Sequence, residues 1–121
     1  MKNAVKEIRE AVENSDFEFF AVRATDDDMK VGDICRASRD WDYEHDQPSD
    51  ELLDGACGTG FRINWGASDE KNEATIEKAI KYNTNNYCAD HLYIITGHDV
   101  TGGDDGGELI IRDAVVLYVI R

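Results

Sequence analysis

Four stretches of this chain carry the β-branched and aromatic residues typical of strands, and each is too short or too interrupted to form a helix: residues 17–24, 61–65, 91–96 and 108–120. The run Phe17-Glu18-Phe19-Phe20-Ala21-Val22-Arg23-Ala24 suits a strand buried on both faces or nearly so. Period two sets Arg23 on the face of Phe17, Phe19 and Ala21. Phe61-Arg62-Ile63-Asn64-Trp65 alternates strictly, which sends Phe61, Ile63 and Trp65 inward and Arg62 with Asn64 to the other face. In the last run, Asp113-Ala114 separates Glu108-Leu109-Ile110-Ile111-Arg112 from residues 115–120, through a bulge or tight bend. Residues 31–38 offer a further strand with Arg36 and Ser38 on one face.

Two segments follow helical spacing instead. Val5, Ile8 and Val12, with Ala4 and Ala11 beside them, mark residues 2–14 as a docking helix with a charged outer side. Residues 68–82 form a second helix with Ala74, Ile76, Ala79 and Ile80 as its buried stripe. Ser68 or Asp69 caps it, and Asn83-Thr84-Asn85-Asn86 stops it. Residues 40–54 hold seven acids, no lysine or arginine and the single proline, so they read as an acidic loop with a short turn of helix begun by Ser49. Residues 55–60 form a flexible glycine run, and residues 97–107 a glycine-rich acidic connection. The sum is one α+β domain over residues 1–121: a largely antiparallel sheet of about five or six strands with two helices.

The formal net charge is −13, from 26 acidic and 13 basic residues. That balance disfavours nucleic acid or an anionic membrane held by a general basic surface, so an anionic ligand must be held locally. The alternative is that the acids themselves act, imitating a phosphate backbone to occupy a nucleic-acid-binding partner. Cys35, Cys57 and Cys88 are odd in number and widely spaced, which fits reduced thiols in a cytosol. The charged amphipathic start is neither a signal peptide nor an anchor, so the chain reads as soluble and cytoplasmic.

Catalytic and metal motifs are weak. The glycine runs lack the strand-to-helix setting of a phosphate loop. Asp99, Asp104, Asp105 and Glu108 match no calcium-loop spacing. His45, His91 and His98 have no serine or cysteine elbow beside them. Cys35 and Cys88 read as small hydrophobes, and Cys57 is the thiol to test for reactivity. No catalytic residue, metal ligand or cofactor is assigned. The arginines carry more: Arg23, Arg62 and Arg112 lie inside apolar strands, where a guanidinium needs an anionic partner and its fork suits phosphate. Arg36, and Asn85 with Tyr87 in an amide and aromatic cluster, complete the set suited to a nucleotide.

Two resemblances bear on this. Arg23, Ser38 and Glu108 occur in the arginine, serine, glutamate order of ADP-ribosyltransferases, in which the first two hold NAD and the glutamate orients the acceptor. Here Gly106 stands where many members have a second glutamate or glutamine, and Ser38 lacks the usual serine-threonine-serine setting. A broader similarity lies in three stretches: Val31-Gly32-Asp33 with Ser38 and Trp41; Leu53-Asp54-Gly55-Ala56-Cys57; and Leu92-Tyr93-Ile94-Ile95-Thr96-Gly97 through Gly107-Glu108-Leu109-Ile110-Ile111-Arg112-Asp113-Ala114. Together they resemble small phage anti-defence proteins, in particular the first Thoeris anti-defence family. That resemblance implies a non-enzymatic, oligomeric sponge in the host bacterial cytoplasm. It would sequester a cyclic ADP-ribose isomer or a cyclic oligonucleotide near protomer interfaces. Arg112 is the first ligand candidate, followed by Arg23 and Arg62, then Arg36, Asn85 and Tyr87.

Overall fold

The computed structural model describes residues 2–35, 41–42, 44, 47–48, 55–86, 89–102 and 108–120. Helix α1 spans Lys2–Glu13 and is followed by strand β1, Phe20–Thr25. Strands β2, Trp41–Asp42, and β3, Gln47–Pro48, form a small antiparallel hairpin of their own. Then come β4, Gly55–Phe61; α2, Asp69–Asn86; β5, His91–Gly102; and β6, Glu108–Val119. The α+β expectation holds, but the main sheet has four strands rather than five or six. They close into a barrel in the order β1-β4-β6-β5, every neighbouring pair antiparallel.

The closure depends on the run that the sequence suggested was a flexible loop. Residues 55–61 are a barrel strand because small residues are what the tight curvature requires. A Cβ on Gly58 would sit 2.3 Å from the Val22 carbonyl oxygen, so only glycine allows β1 and β4 this approach. Gly97 plays the same part in β5, where a Cβ would meet the Arg112 carbonyl oxygen at 2.7 Å. Asp99 and Asp113 adopt positive φ, 53° and 51°. Aspartate tolerates that region better than bulky residues do. With the register shifts along β5–β6, these residues let two twelve-residue strands bend around the barrel without breaking. The expected interruption at Asp113 is therefore a kink within one strand.

Other boundaries moved as well. β1 starts only at Phe20, so Phe17 does not share a strand face with Arg23; it packs against the outer core. Within residues 31–35 the expected strand is reduced to one bridge, Ile34 to Val115. The segment is tied to β6 by Gly32 N donating to Val116 O (2.8 Å) and Cys35 N to Ala114 O (2.8 Å). The helix stop expected at residues 83–86 is instead the last turn of α2. Thr84 Oγ1 donates to Ile80 O and Asn86 Nδ2 to Tyr82 O, bonds that let these polar side chains stay within a helix. At the other end Ser68 Oγ accepts from Lys71 N at 3.3 Å, the expected N-cap.

Two cores lie on the two sides of the barrel wall. Inside are Ala21, Ala56, Tyr93, Ile95, Ile111, Ala114 and Val116, with Cys35. The Tyr93 hydroxyl donates to Asp27 O (2.7 Å) and accepts from Met29 N (2.9 Å), fixing the turn after β1. Outside, α2 packs over β4 and β1 while α1 packs against α2 and β6, and together they bury Ile8, Val12, Ile76 and Ile80 against Phe20, Phe61 and Ile94. Each such aliphatic side chain contributes about 1.5–3 kcal/mol. Of the helix stripe that the sequence predicts, Ala74 is exposed, and Asn72 and Asn83 are buried in addition. Arg9 ties the two helices together: its Nε donates to Glu73 (2.7 Å) and Nη1 to Glu13 (3.0 Å), with Asp69 at 3.6 Å. Hydrogen bonding to Glu73 raises its pKa above the ordinary arginine value. No helix among the described residues is long and apolar enough to cross a membrane.

Candidate functional site

The three strand arginines are not gathered at one end of β4. Arg23 points with Ala21 toward the barrel interior, opposite Tyr93. Its Nη1 donates to Cys57 O at 3.2 Å and lies 3.7 Å from Cys57 Sγ, while its buried Nε has no hydrogen-bond partner. Cys35 lies close enough to feel it: burial pushes the Cys35 thiol up, and Arg23 pulls it partway back. Arg112 sits on β6 opposite Gly55 and His98. Arg62 lies beyond the other end of β4, so it and Arg112 are roughly 20 Å apart along the strand. Arg62 and Arg112 therefore lie at opposite ends of β4, while Arg23 meets β4 at Cys57, two residues from the Gly55 that pairs with Arg112. Asn85 is exposed on the last turn of α2, and Arg36, Ser38, His45, Tyr87 and Cys88 lie outside the described residues. Among the described residues no cluster of histidine, cysteine or carboxylate side chains could hold a metal ion.

Arg62 does belong to a site. A cleft of about 960 Å³ opens where the chain leaves β4 and passes under α2, bounded on the other side by residues 17–20. Its floor is apolar, formed by Val12, Phe20, Phe61 and Ala79. Arg62 places its guanidinium carbon 5.9 Å from the centroid of the Phe19 ring, within cation–π range. Phe19 is itself held by Thr96 Oγ1, which donates to its carbonyl at 2.9 Å.

The rim is built from a turn and a helix face. Residues 64–67 form a β-turn, with Ala67 N donating to Asn64 O (3.0 Å) and Gly66 N to Asn64 Oδ1 (3.0 Å). Asn72 locks this turn to α2: its Oδ1 accepts from Asn64 N (3.0 Å) and its Nδ2 donates to Asn64 O (3.1 Å). The alternation predicted for residues 61–65 survives at Phe61, Arg62, Ile63 and Asn64 and fails at Trp65. The turn swings that indole outward, leaving it 72% exposed at the cleft rim. From α2, residues Thr75, Lys78 and Tyr82 follow one another at helical spacing along the opposite side. Tyr82 is 51% exposed, and Lys78 pairs with no carboxylate among the described residues.

Among the described residues two cations, Arg62 and Lys78, therefore face the cleft against a single acid, Glu18, in a chain of net charge −13. Aromatic faces flank them. Such a volume lies at the upper end of small-ligand sites, and cations beside exposed aromatics suit a molecule with both an anionic and a planar part. Sequence reading reached Arg62 but missed Trp65, Lys78 and Tyr82. The available signal was the Lys78–Tyr82 spacing of four on the outer side of a helix, next to an aromatic followed by glycine. A scan against protein-family models, a search of curated proteins and a search of solved structures gave no match.

Proposed function

We propose that this chain is a binding protein that captures a small nucleotide in the cleft and leaves it chemically intact. A cyclic ADP-ribose isomer, the ligand class implied by the sequence resemblance, is the first candidate. The observation that carries the reading is the pairing of Arg62 and Lys78 with the exposed rings of Trp65 and Tyr82 around one cleft. Guanidinium and ammonium groups supply phosphate contacts, and an indole or phenol face supplies a stacking surface for a base. Exposing two large aromatics to water is unfavourable unless something covers them. The Thr75 hydroxyl of the lining already donates to Lys71 O at 3.1 Å, which leaves the cations and rings as its main contacts for a ligand.

The test is calorimetric titration with ADP, cyclic ADP-ribose and adenosine, followed by mass spectrometry of ligand released on heat denaturation. We expect a phosphorylated member of the panel to bind, raise the melting temperature and be recovered unchanged. Trp65→Ala should weaken binding by on the order of tenfold through lost stacking. Arg62→Ala and Lys78→Ala should each do so to a degree that shrinks as salt is raised. No binding across the panel, or recovery of a cleaved product, would overturn the proposal.

A further inference from the structure

Thr59 lies in the wall of the cleft and is only 2% exposed. Behind it, Asn83 of α2 is equally buried; its Nδ2 donates to Val22 O at 2.9 Å and to Thr59 Oγ1 at 3.4 Å. The amide cannot be reversed, because its oxygen would then face the Val22 carbonyl oxygen at the same 2.9 Å, acceptor against acceptor. The Asn83 oxygen is left buried without a partner in this orientation. A hydroxyl that is already accepting a bond directs its own proton away from that donor. Among the described residues no acceptor takes the Thr59 proton, and Thr59 belongs to the cleft lining.

Its neighbours share this polarity. Asn64 has its Oδ1 occupied by Gly66 N and its carbonyl by Asn72 Nδ2 and Ala67 N, which leaves its amide hydrogens as the unengaged groups. Arg62, Lys78 and the Trp65 indole can only donate. Among the described residues Glu18 is the one charged acceptor in the lining. A surface of donors selects a ligand rich in acceptors and carrying negative charge.

We infer that Thr59 is a specificity-determining donor of the cleft, oriented by Asn83 to bond an anionic oxygen of the ligand. The inference rests on the cleft being a nucleotide site, and it adds the residue that distinguishes a phosphorylated ligand from its neutral nucleoside. Losing a hydrogen bond to a charged oxygen lowers affinity by roughly tenfold or more. Thr59→Val, which replaces the hydroxyl by a methyl group of similar size, should weaken ADP and cyclic ADP-ribose binding by about that factor, and should modestly lower the melting temperature of the free protein because Asn83 Nδ2 loses one of its two acceptors. Thr59→Ser should bind within about threefold of the natural protein, since it restores the donor. Thr59→Ala serves as the second hydroxyl-free variant if the valine packs badly.

Adenosine, which offers no anionic oxygen, should be weakened less than ADP. Equal weakening of both probes, failure of serine to restore binding, or hydroxyl-free variants that bind ADP like the natural protein would each overturn the role of Thr59 while leaving the cleft as the site. If the unmodified protein binds neither ADP nor cyclic ADP-ribose, the nucleotide reading itself fails, and this inference fails with it.

Discussion

The interior of the barrel and its helix-covered outer face are two sides of one wall, yet they handle polar groups in opposite ways. Inside, alanines at 21, 56 and 114 leave space for one tyrosine, and the Arg23 guanidinium is folded back onto the backbone at Cys57. Outside, larger side chains from α1 and α2 fill the gap until residues 62–66 turn away, and there the wall opens into a cleft with cations, amides and aromatic faces. The difference is geometric. Barrel diameter grows with strand number, and eight strands are needed before the lumen accommodates more than side chains. Four strands leave no room for a ligand, so the binding surface has to lie where a helix and a turn diverge.

The largest test of this contrast is Gly58→Val. It drives a side chain against the Val22 carbonyl and Ala21, so we expect a loss of roughly 3 kcal/mol or more in urea unfolding, or failure to fold. A well-folded variant would mean that the interior is looser than the geometry indicates. On the other face, Ile76→Ala removes a fully buried side chain and should cost about 2–5 kcal/mol. Because that helical face can relax, the variant should still form the barrel, as read by far-ultraviolet circular dichroism.

Arg9→Ala is expected to be milder. It leaves Glu13, Asp69 and Glu73 facing one another without their shared cation and should lower the melting temperature measurably, more at low than at high salt. The smallest effect concerns Tyr118, whose hydroxyl donates to Glu7 of α1. That bond raises the Tyr118 pKa, with some help from burial. A pKa raised in the folded state means the stabilisation is fully present below the ordinary tyrosine value of about 10 and is lost as pH climbs through the folded value. Spectroscopic titration should show one tyrosine ionising late, and Tyr118→Phe should remove that step and flatten the alkaline limb of the stability curve.

Much of the helical architecture was legible because it depends on spacing alone. Val5, Ile8 and Val12 predict α1, and Ile76, Ala79 and Ile80 predict α2 together with its Ser68 cap. The strand content of residues 20–25, 91–96 and 108–119 followed from β-branched and aromatic residues. Residues 55–60 read as a flexible loop yet form a strand, because a glycine run has two readings, flexible loop or closely packed strand. Local sequence cannot separate them, since the deciding atom, the Val22 carbonyl oxygen, belongs to another strand. The same limit applies to the candidate site. Alternation found Arg62 but carried Trp65 inward, because the turn that reverses it is held by Asn72, eight residues further along.

By itself, then, the sequence determined the mixed α and β content, the helix faces and the acidity that makes any local cationic patch informative. Tertiary structure alone decided that the sheet closes, that Arg62 and Arg112 separate, and that Trp65, Lys78, Tyr82 and Thr59 meet around one cleft. Spacing fixes which way a side chain leaves its own element. Which residues face one another across space is set by strand register, by close backbone approach at glycine and by long-range hydrogen bonds.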